Sequence, residues 1–208
     1  MPSEPADCLP TNHRKKRVAV LISGRGSNMV ALIEAAKAPA YPAGIVVVIS
    51  NRPDATGLAM AAASGIATEV IDHTAFARDR AAFERALEAC LESYRIEIVC
   101  LAGFMRLLTP WFVNRWYGRL LNIHPALLPA FKGLHTHERA LAAGVKTHGA
   151  TVHFVAAEMD SGPTIIQGEV PVLPGDRPDT LAARVLELEH KIYPQALRLV
   201  CEGLATPP

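Results

Sequence analysis

The stretch Leu-Leu-Asn-Ile-His-Pro-Ala-Leu-Leu-Pro at 120–129 sets an amide and an imidazole two positions apart in an otherwise apolar run. In a strand, residues i and i+2 point to the same side, so Asn122 and His124 share a face and Leu121 and Ile123 point the other way. Polar side chains on a buried strand are costly unless something satisfies them. Pro125 holds His124 in extended backbone. An Asn offers fixed N–H donors suited to a developing oxyanion, and a His can carry a proton near neutral pH. Either residue alone reads as a satisfied structural group; the pair ahead of Pro-Ala-Leu-Leu-Pro reads as catalytic.

A second signal is Ser23-Gly24-Arg25-Gly26-Ser27-Asn28, directly after the apolar run Val18–Ile22 and at the start of a helical segment. The glycines let backbone N–H groups approach a ligand closely, Ser27 and Asn28 can cap the helix or donate to an anion, and a helix N-terminus favours negative charge. A dinucleotide loop is excluded. Met29 stands where the third glycine would be, and Ser50-Asn51 stands where the ribose-binding acid would follow the second strand. A P-loop is excluded because no Gly-Lys-Ser/Thr opens the helix. The loop therefore suits a single phosphate.

The third signal is weaker. Ala157-Glu158-Met159-Asp160-Ser161-Gly162-Pro163 reads as a turn. Asp160 gains a chemical role only if the turn folds back toward His124, where a carboxylate would orient the imidazole. His135, His137, His148 and His153 match no closed tetrahedral metal site and no cysteine joins them. They read as structural or supporting residues, and no metal is expected.

These residues need a scaffold. Short apolar runs at Val18–Ile22, Ile45–Ile49, Ala67–Ile71, Ile98–Ala102 and Arg119–Ile123 alternate with helical segments at Ser27–Lys37, Ala55–Ser64 and 78–94. Continuous apolar strands alternating with helices predict a single doubly wound α/β domain, with a mostly parallel sheet and helices on both faces. His148–Val155 and Thr164–Val172 have no helix between them and predict a late antiparallel extension. A last helix over Asp179–Leu199 would bury Leu181, Val185, Leu188 and Ile192. Asn122 and His124 then fall near the C-terminal end of a strand, where open α/β sheets bind ligands. The expected organisation is a disordered leader over 1–16, a catalytic domain over 17–202 and a loose tail over 203–208.

The 208 residues are half hydrophobic and carry 21 basic against 20 acidic groups, a formal net charge of +1. That balance argues against nucleic-acid and membrane-surface partners. No apolar run is long enough to span a bilayer, and no secretory h-region opens the chain. Cys8, Cys90, Cys100 and Cys201 are scattered, without a CxxC pair, as in a reducing cytoplasm.

Together these motifs resemble the folate-dependent glycinamide ribonucleotide formyltransferase family. The resemblance rests on 21–28, Leu-Ala-Gly-Phe-Met-Arg at 101–106 and the 120–129 stretch. Gly-Leu-His-Thr-His at 133–137, His-Gly-Ala-Thr-Val-His-Phe-Val at 148–155 and Glu-His-Lys-Ile-Tyr-Pro at 189–194 extend it. It runs from about 17 to 200, in the family's order. The resemblance implies a formyltransferase-type Rossmann-like fold, 10-formyltetrahydrofolate as co-substrate, glycinamide ribonucleotide as acceptor, and a monomer or homodimer. It implies Asn122, His124 and Asp160 as the catalytic trio. Gly26, Ser27 and Asn28 would hold the ribonucleotide phosphate and Glu189 its ribose hydroxyls. Arg80, Met105, Arg106, Leu107, Leu108, Asn122, Ala156, Ala157 and Glu158 would hold the folate, and the Leu128-Pro129 bond would be cis. Ala126 stands for a more usual Ser and Arg25 for a frequent Asn; neither touches the trio. Two related activities are disfavoured. Hydrolysis of formyltetrahydrofolate goes with an added N-terminal regulatory domain, and formylation of initiator methionyl-tRNA with an added C-terminal domain. A non-enzymatic phosphosugar-binding module would need Gly24–Asn28 but not the Asn122/His124 pair.

Overall fold

The computed structural model describes residues 14–207. One seven-stranded sheet organises them, in the order β3-β2-β1-β4-β5-β6-β7. Five strands are parallel: β1 (Lys16–Ile22), β2 (Ala43–Ser50), β3 (Ala67–Val70), β4 (Ile98–Leu101) and β5 (Leu120–His124). The last two extend the sheet beyond β5 through antiparallel pairs: β6 (Thr147–Phe154) lies beside β5, and β7 (Thr164–Pro171) beside β6. The doubly wound sheet with a late antiparallel extension is therefore the observed fold.

Burial is continuous from Val18 to Ile22 along β1, and successive residues face opposite cores, as a sheet covered on both sides requires. Val18, Val20 and Ile22 join one core with α1 (Ser27–Ala36), α2 (Gly57–Ala63) and α6 (Pro178–Cys201). Ala19 and Leu21 join a second core with α3 (Arg80–Ser93) and α4 (Pro110–Arg115). Each fully buried Leu, Ile or Phe contributes roughly 1.5–3 kcal/mol of transfer free energy, so the two layers fix the sheet between them. Leu181, Val185 and Ile192 form the buried stripe of α6, while Leu188 is only partly buried. Cys100 is buried, and Cys90 and Cys201 are half-buried free thiols.

Boundaries differ from the sequence reading at both ends. β1 begins at Lys16, inside the segment expected to be a disordered leader, because its pairing with Ala43 extends the ladder beyond the apolar run. Lys15 Nζ donates to the Ala36 and Ala38 carbonyls, at 2.7 and 2.8 Å, at the C-terminal end of α1. Residues 1–13, with Cys8, and residue 208 lie outside the described residues. At the other end, Leu204 and Ala205 N–H groups donate to Leu199 O, at 2.9 and 3.2 Å, and close the last turn of α6. Two short helices, α4 and α5 (Thr136–Ala142), were not expected; with six and seven residues they are too short to show a helical period.

Candidate active site

The C-terminal tips of the inner parallel strands lie in one row. Ile22 is level with Ser50, Leu21 with Leu101, and Leu101 with Asn122. Loops leaving these tips build a cleft of about 220 Å³ lined by residues 23–28, Ala102, Gly103 and Met105. Its floor is the turn from β1 into α1. Gly26 takes the left-handed conformation (φ 70°), no side chain caps the helix, and α1 starts at Ser27. The N–H groups of the first turn thus have no partner within the helix. The capping expected of Ser27 or Asn28 does not occur, because Asn28 is turned inward. Its Nδ2 donates to Glu189 Oε2 at 2.7 Å, and its Oδ1 is buried without a partner. Glu189 occupies the buried stripe of α6 and is 6% exposed. Burial raises its pKa, opposed by the hydrogen bond from Asn28.

A residue the sequence reading missed supports this turn. Gly57 opens α2, and its N–H donates to Gly24 O at 3.0 Å. A Cβ at 57 would lie 2.7 Å from Ile22 Cδ1 and 3.0 Å from Gly24 O. Only glycine lets α2 lie this close beneath the loop.

At the tip of β5, His124 is buried at 6% exposure. Its Nε2 lies 3.0 Å from Phe131 O, an acceptor only, so Nε2 carries a proton. Phe131 aims that carbonyl from a left-handed conformation (φ 55°), rare for an aromatic residue. The other nitrogen, Nδ1, faces Asp160 Oδ2 at 3.4 Å. The turn does fold back, and a proton on Nδ1 would point at the carboxylate. Asp160 is itself held, since Gly133 N–H donates to Oδ2 at 2.9 Å. Gly162 permits the return: a Cβ there would sit 1.7 Å from Phe154 O.

Asn122 lies directly opposite His153 in the antiparallel β5–β6 pair. His153 Nδ1 is 2.9 Å from Phe154 O and must donate to it, so its Nε2 accepts from Asn122 Nδ2 at 3.2 Å. Burial, with a smaller contribution from nearby His124, pushes the His153 pKa down, against the opposing effects of Phe154 O and Asp160; this favours the neutral ring. His153 Nε2 is also 3.8 Å from Asp160 Oδ1. The amide is thereby oriented, with its second N–H unspent. The cross-strand partner of Asn122 could have been found in the sequence only by knowing the β5–β6 register.

The residues assigned by resemblance to the folate gather on the loop after β4. Met105 and Leu107 are 68% and 62% exposed, Leu108 packs on the core below, and the Arg106 guanidinium stacks 4.5 Å from the centre of the Phe83 ring. Arg80 reaches the same loop, donating to Leu107 O at 2.7 Å. Ala156 is half-buried and Ala157 and Glu158 are exposed on the turn that carries Asp160. The Leu128-Pro129 bond is cis.

The other histidines take different places. His137 and His148 meet edge to face at 5.3 Å, and burial pushes the His148 pKa down to about 4. His135 pairs with Glu138 at 3.7 Å near the surface. Among the described residues, no group of three or more His, Cys, Asp or Glu is arranged to hold a metal ion. Nor is any of their helices long and apolar enough to cross a membrane.

An open α/β sheet whose strand tips carry an uncapped helix start on one side and an oriented amide–imidazole–carboxylate group on the other has the parts of an enzyme that transfers a group between two ligands. Comparison with known proteins narrows the class. Residues 16–197 match the formyl transferase family, and the chain belongs to that family. It is 47% identical over 186 residues to phosphoribosylglycinamide formyltransferase of Escherichia coli, covering 89% of this chain and 87% of that one. It is 53% identical over 190 residues to the trifunctional purine biosynthetic protein adenosine-3 of Bos taurus, covering 91% of this chain; there it spans only 19% of the relative's length. The crystal structure of phosphoribosylglycinamide formyltransferase from Brucella melitensis superposes with a TM-score of 0.87 at 52% identity, covering 94% of this chain and all of that one.

Proposed function

We propose that the chain transfers the formyl group of 10-formyltetrahydrofolate to the glycine amine of glycinamide ribonucleotide, a step of purine synthesis, in the cytoplasm. The observation that carries this function is the approach of Asp160 to His124, beside Asn122, in the same row of strand ends from which the 23–28 turn leaves. The named activities of the Escherichia coli and Brucella melitensis relatives support it. Backbone N–H groups at 26–28 receive the phosphate. Glu189, and the buried Asn28 Oδ1 beside it, offer acceptors to ribose hydroxyls. The loop 105–108, Arg80 and the turn 156–158 enclose the folate.

The amine attacks the formyl carbon, giving a tetrahedral intermediate with a negative oxygen. The unspent N–H of Asn122 donates to that oxygen, and His124, held by Phe131 O and Asp160, stabilises the charge through space when it carries a proton; removing an oxyanion donor typically costs about 100- to 1000-fold in rate. One proton then leaves the former amine nitrogen and one reaches N10 of the folate as the carbon–N10 bond breaks. His124, or a water on Asp160, carries it. Holding both substrates in one cleft supplies much of the acceleration. The test mixes chain, ribonucleotide and formyl-folate and follows tetrahydrofolate release. Release that requires the ribonucleotide is expected; equal release without it would assign hydrolysis instead.

A further inference from the structure

Ser23 joins the two substrate subsites. It is the first residue beyond β1, its side chain is buried, and its hydroxyl makes two bonds of fixed direction. Met105 N–H can only donate, and does so to Ser23 Oγ at 2.8 Å. The hydroxyl proton is therefore left for Asn51 Oδ1, at 2.5 Å. Asn51 follows β2 and Met105 follows β4, the strands on either side of β1. Asn51 is itself buried and held, with its carbonyl 2.7 Å from His73 Nδ1. One hydroxyl thus bridges three strand-end loops, and its own residue begins the phosphate turn.

At its base, the loop after β4 is tied to the end of β1 by Ala102 N–H, which donates to Leu21 O at 2.9 Å; its anchors further along tie it elsewhere. Arg80 of α3 holds Leu107 O, and Glu84 of the same helix accepts from Thr109 N–H at 2.6 Å and from the Thr109 hydroxyl. Both fix the loop to α3, on the side away from the phosphate turn. Beyond Ala102, Ser23 is the side-chain anchor among the described residues that ties Met105 to the residue opening the turn Gly24–Asn28.

We propose that Ser23 is a positioning residue for formyl transfer, holding the folate-side loop in register with the ribonucleotide turn. It rests on the function proposed above. Without the hydroxyl each substrate still finds its own subsite, but the reacting atoms are misaligned, and a displacement of about 1 Å can cost on the order of 100-fold in rate. The test compares wild type, Ser23→Ala and Tyr41→Phe; the last removes a hydrogen bond to Pro194 O outside the cleft and controls for stability. Melting temperature, ribonucleotide Kd by calorimetry, folate KM and kcat are read for each. For Ser23→Ala a kcat lower by about 10- to 100-fold, a raised folate KM and an unchanged ribonucleotide Kd are expected, with Tyr41→Phe at wild-type kcat. Adding Asn51→Ala to Ser23→Ala should cost less than the two single losses combined, since the residues share one bond. Unchanged kcat and folate KM in a folded Ser23→Ala protein would overturn the proposal, as would a loss confined to ribonucleotide binding. If the alanine variant does not fold, Ser23→Cys, nearly isosteric but a weak donor and acceptor, is measured the same way, and wild-type kcat there overturns it. A wild-type protein whose folate turnover ignores the ribonucleotide would instead overturn the proposed function itself.

Discussion

The two sides of the cleft are built in different ways. On the parallel side, the groups proposed to receive the phosphate are backbone N–H groups at the start of α1, whose turn Gly57 holds through Gly24 O. On the antiparallel side, polar side chains converge from β5, β6 and the turn after β6: Asn122 and His124, oriented by His153 and by the Asp160 carboxylate. A backbone site of preset dipoles attracts a charged group whether or not a reaction is under way. Side chains with movable protons can respond to charge that develops during a reaction. The proposed function thus assigns recognition mainly to the parallel half and chemistry to the antiparallel half, and variants on the two sides should separate binding from turnover.

Asp160→Asn tests that division most severely. It removes the charge opposite His124 Nδ1, and kcat is expected to fall about 100- to 1000-fold with ribonucleotide Kd unchanged by calorimetry. A weakened Kd at wild-type kcat would place Asp160 on the binding side and dissolve the division. Gly57→Ala is the converse. Overpacking of this kind typically costs 1–3 kcal/mol; part of it displaces the phosphate turn, so ribonucleotide KM should rise about 10-fold while kcat stays near wild type. A change in kcat alone would show that the turn positions the reacting amine rather than the phosphate.

Glu189→Gln sharpens the comparison with the smallest change. Burial raises the Glu189 pKa above its ordinary 4.5. A carboxyl raised in the folded state contributes stability that is complete below the unfolded pKa and lost as pH rises through the folded value. At pH values above the ordinary pKa, burying this carboxyl therefore costs the fold stability. The glutamine variant can keep an acceptor for Asn28 and should melt above wild type at pH 7, with the difference closing near pH 4.5, while binding ribonucleotide more weakly. A variant that melts below wild type at pH 7 would show that the ion is favourably held.

What the sequence made legible follows the same boundary. The turn from β1 into α1 could be read because a glycine pair between an apolar strand and a helix is local. Asn122 and His124 could be read because the period of two in 120–124 puts them on one face. Asp160 looked like an ordinary turn residue, since its approach to His124 depends on the β5–β6 register and on the close passage of Gly162 past Phe154 O. His153 was visible only as one histidine among several; its role comes from lying opposite Asn122. Phe131 carries no polar side chain to attract notice, because its contribution is a carbonyl. Lys16 was assigned to the leader because charge hides a strand end, and α4 and α5 are too short to show a period.

The most direct measurement is single-turnover formyl transfer by His124→Ala with both substrates saturating, alongside its ribonucleotide Kd. The division between the halves predicts a rate at least about 100-fold below wild type with Kd unchanged. Transfer at the wild-type rate would show that the imidazole facing Asp160 takes no part in the chemistry.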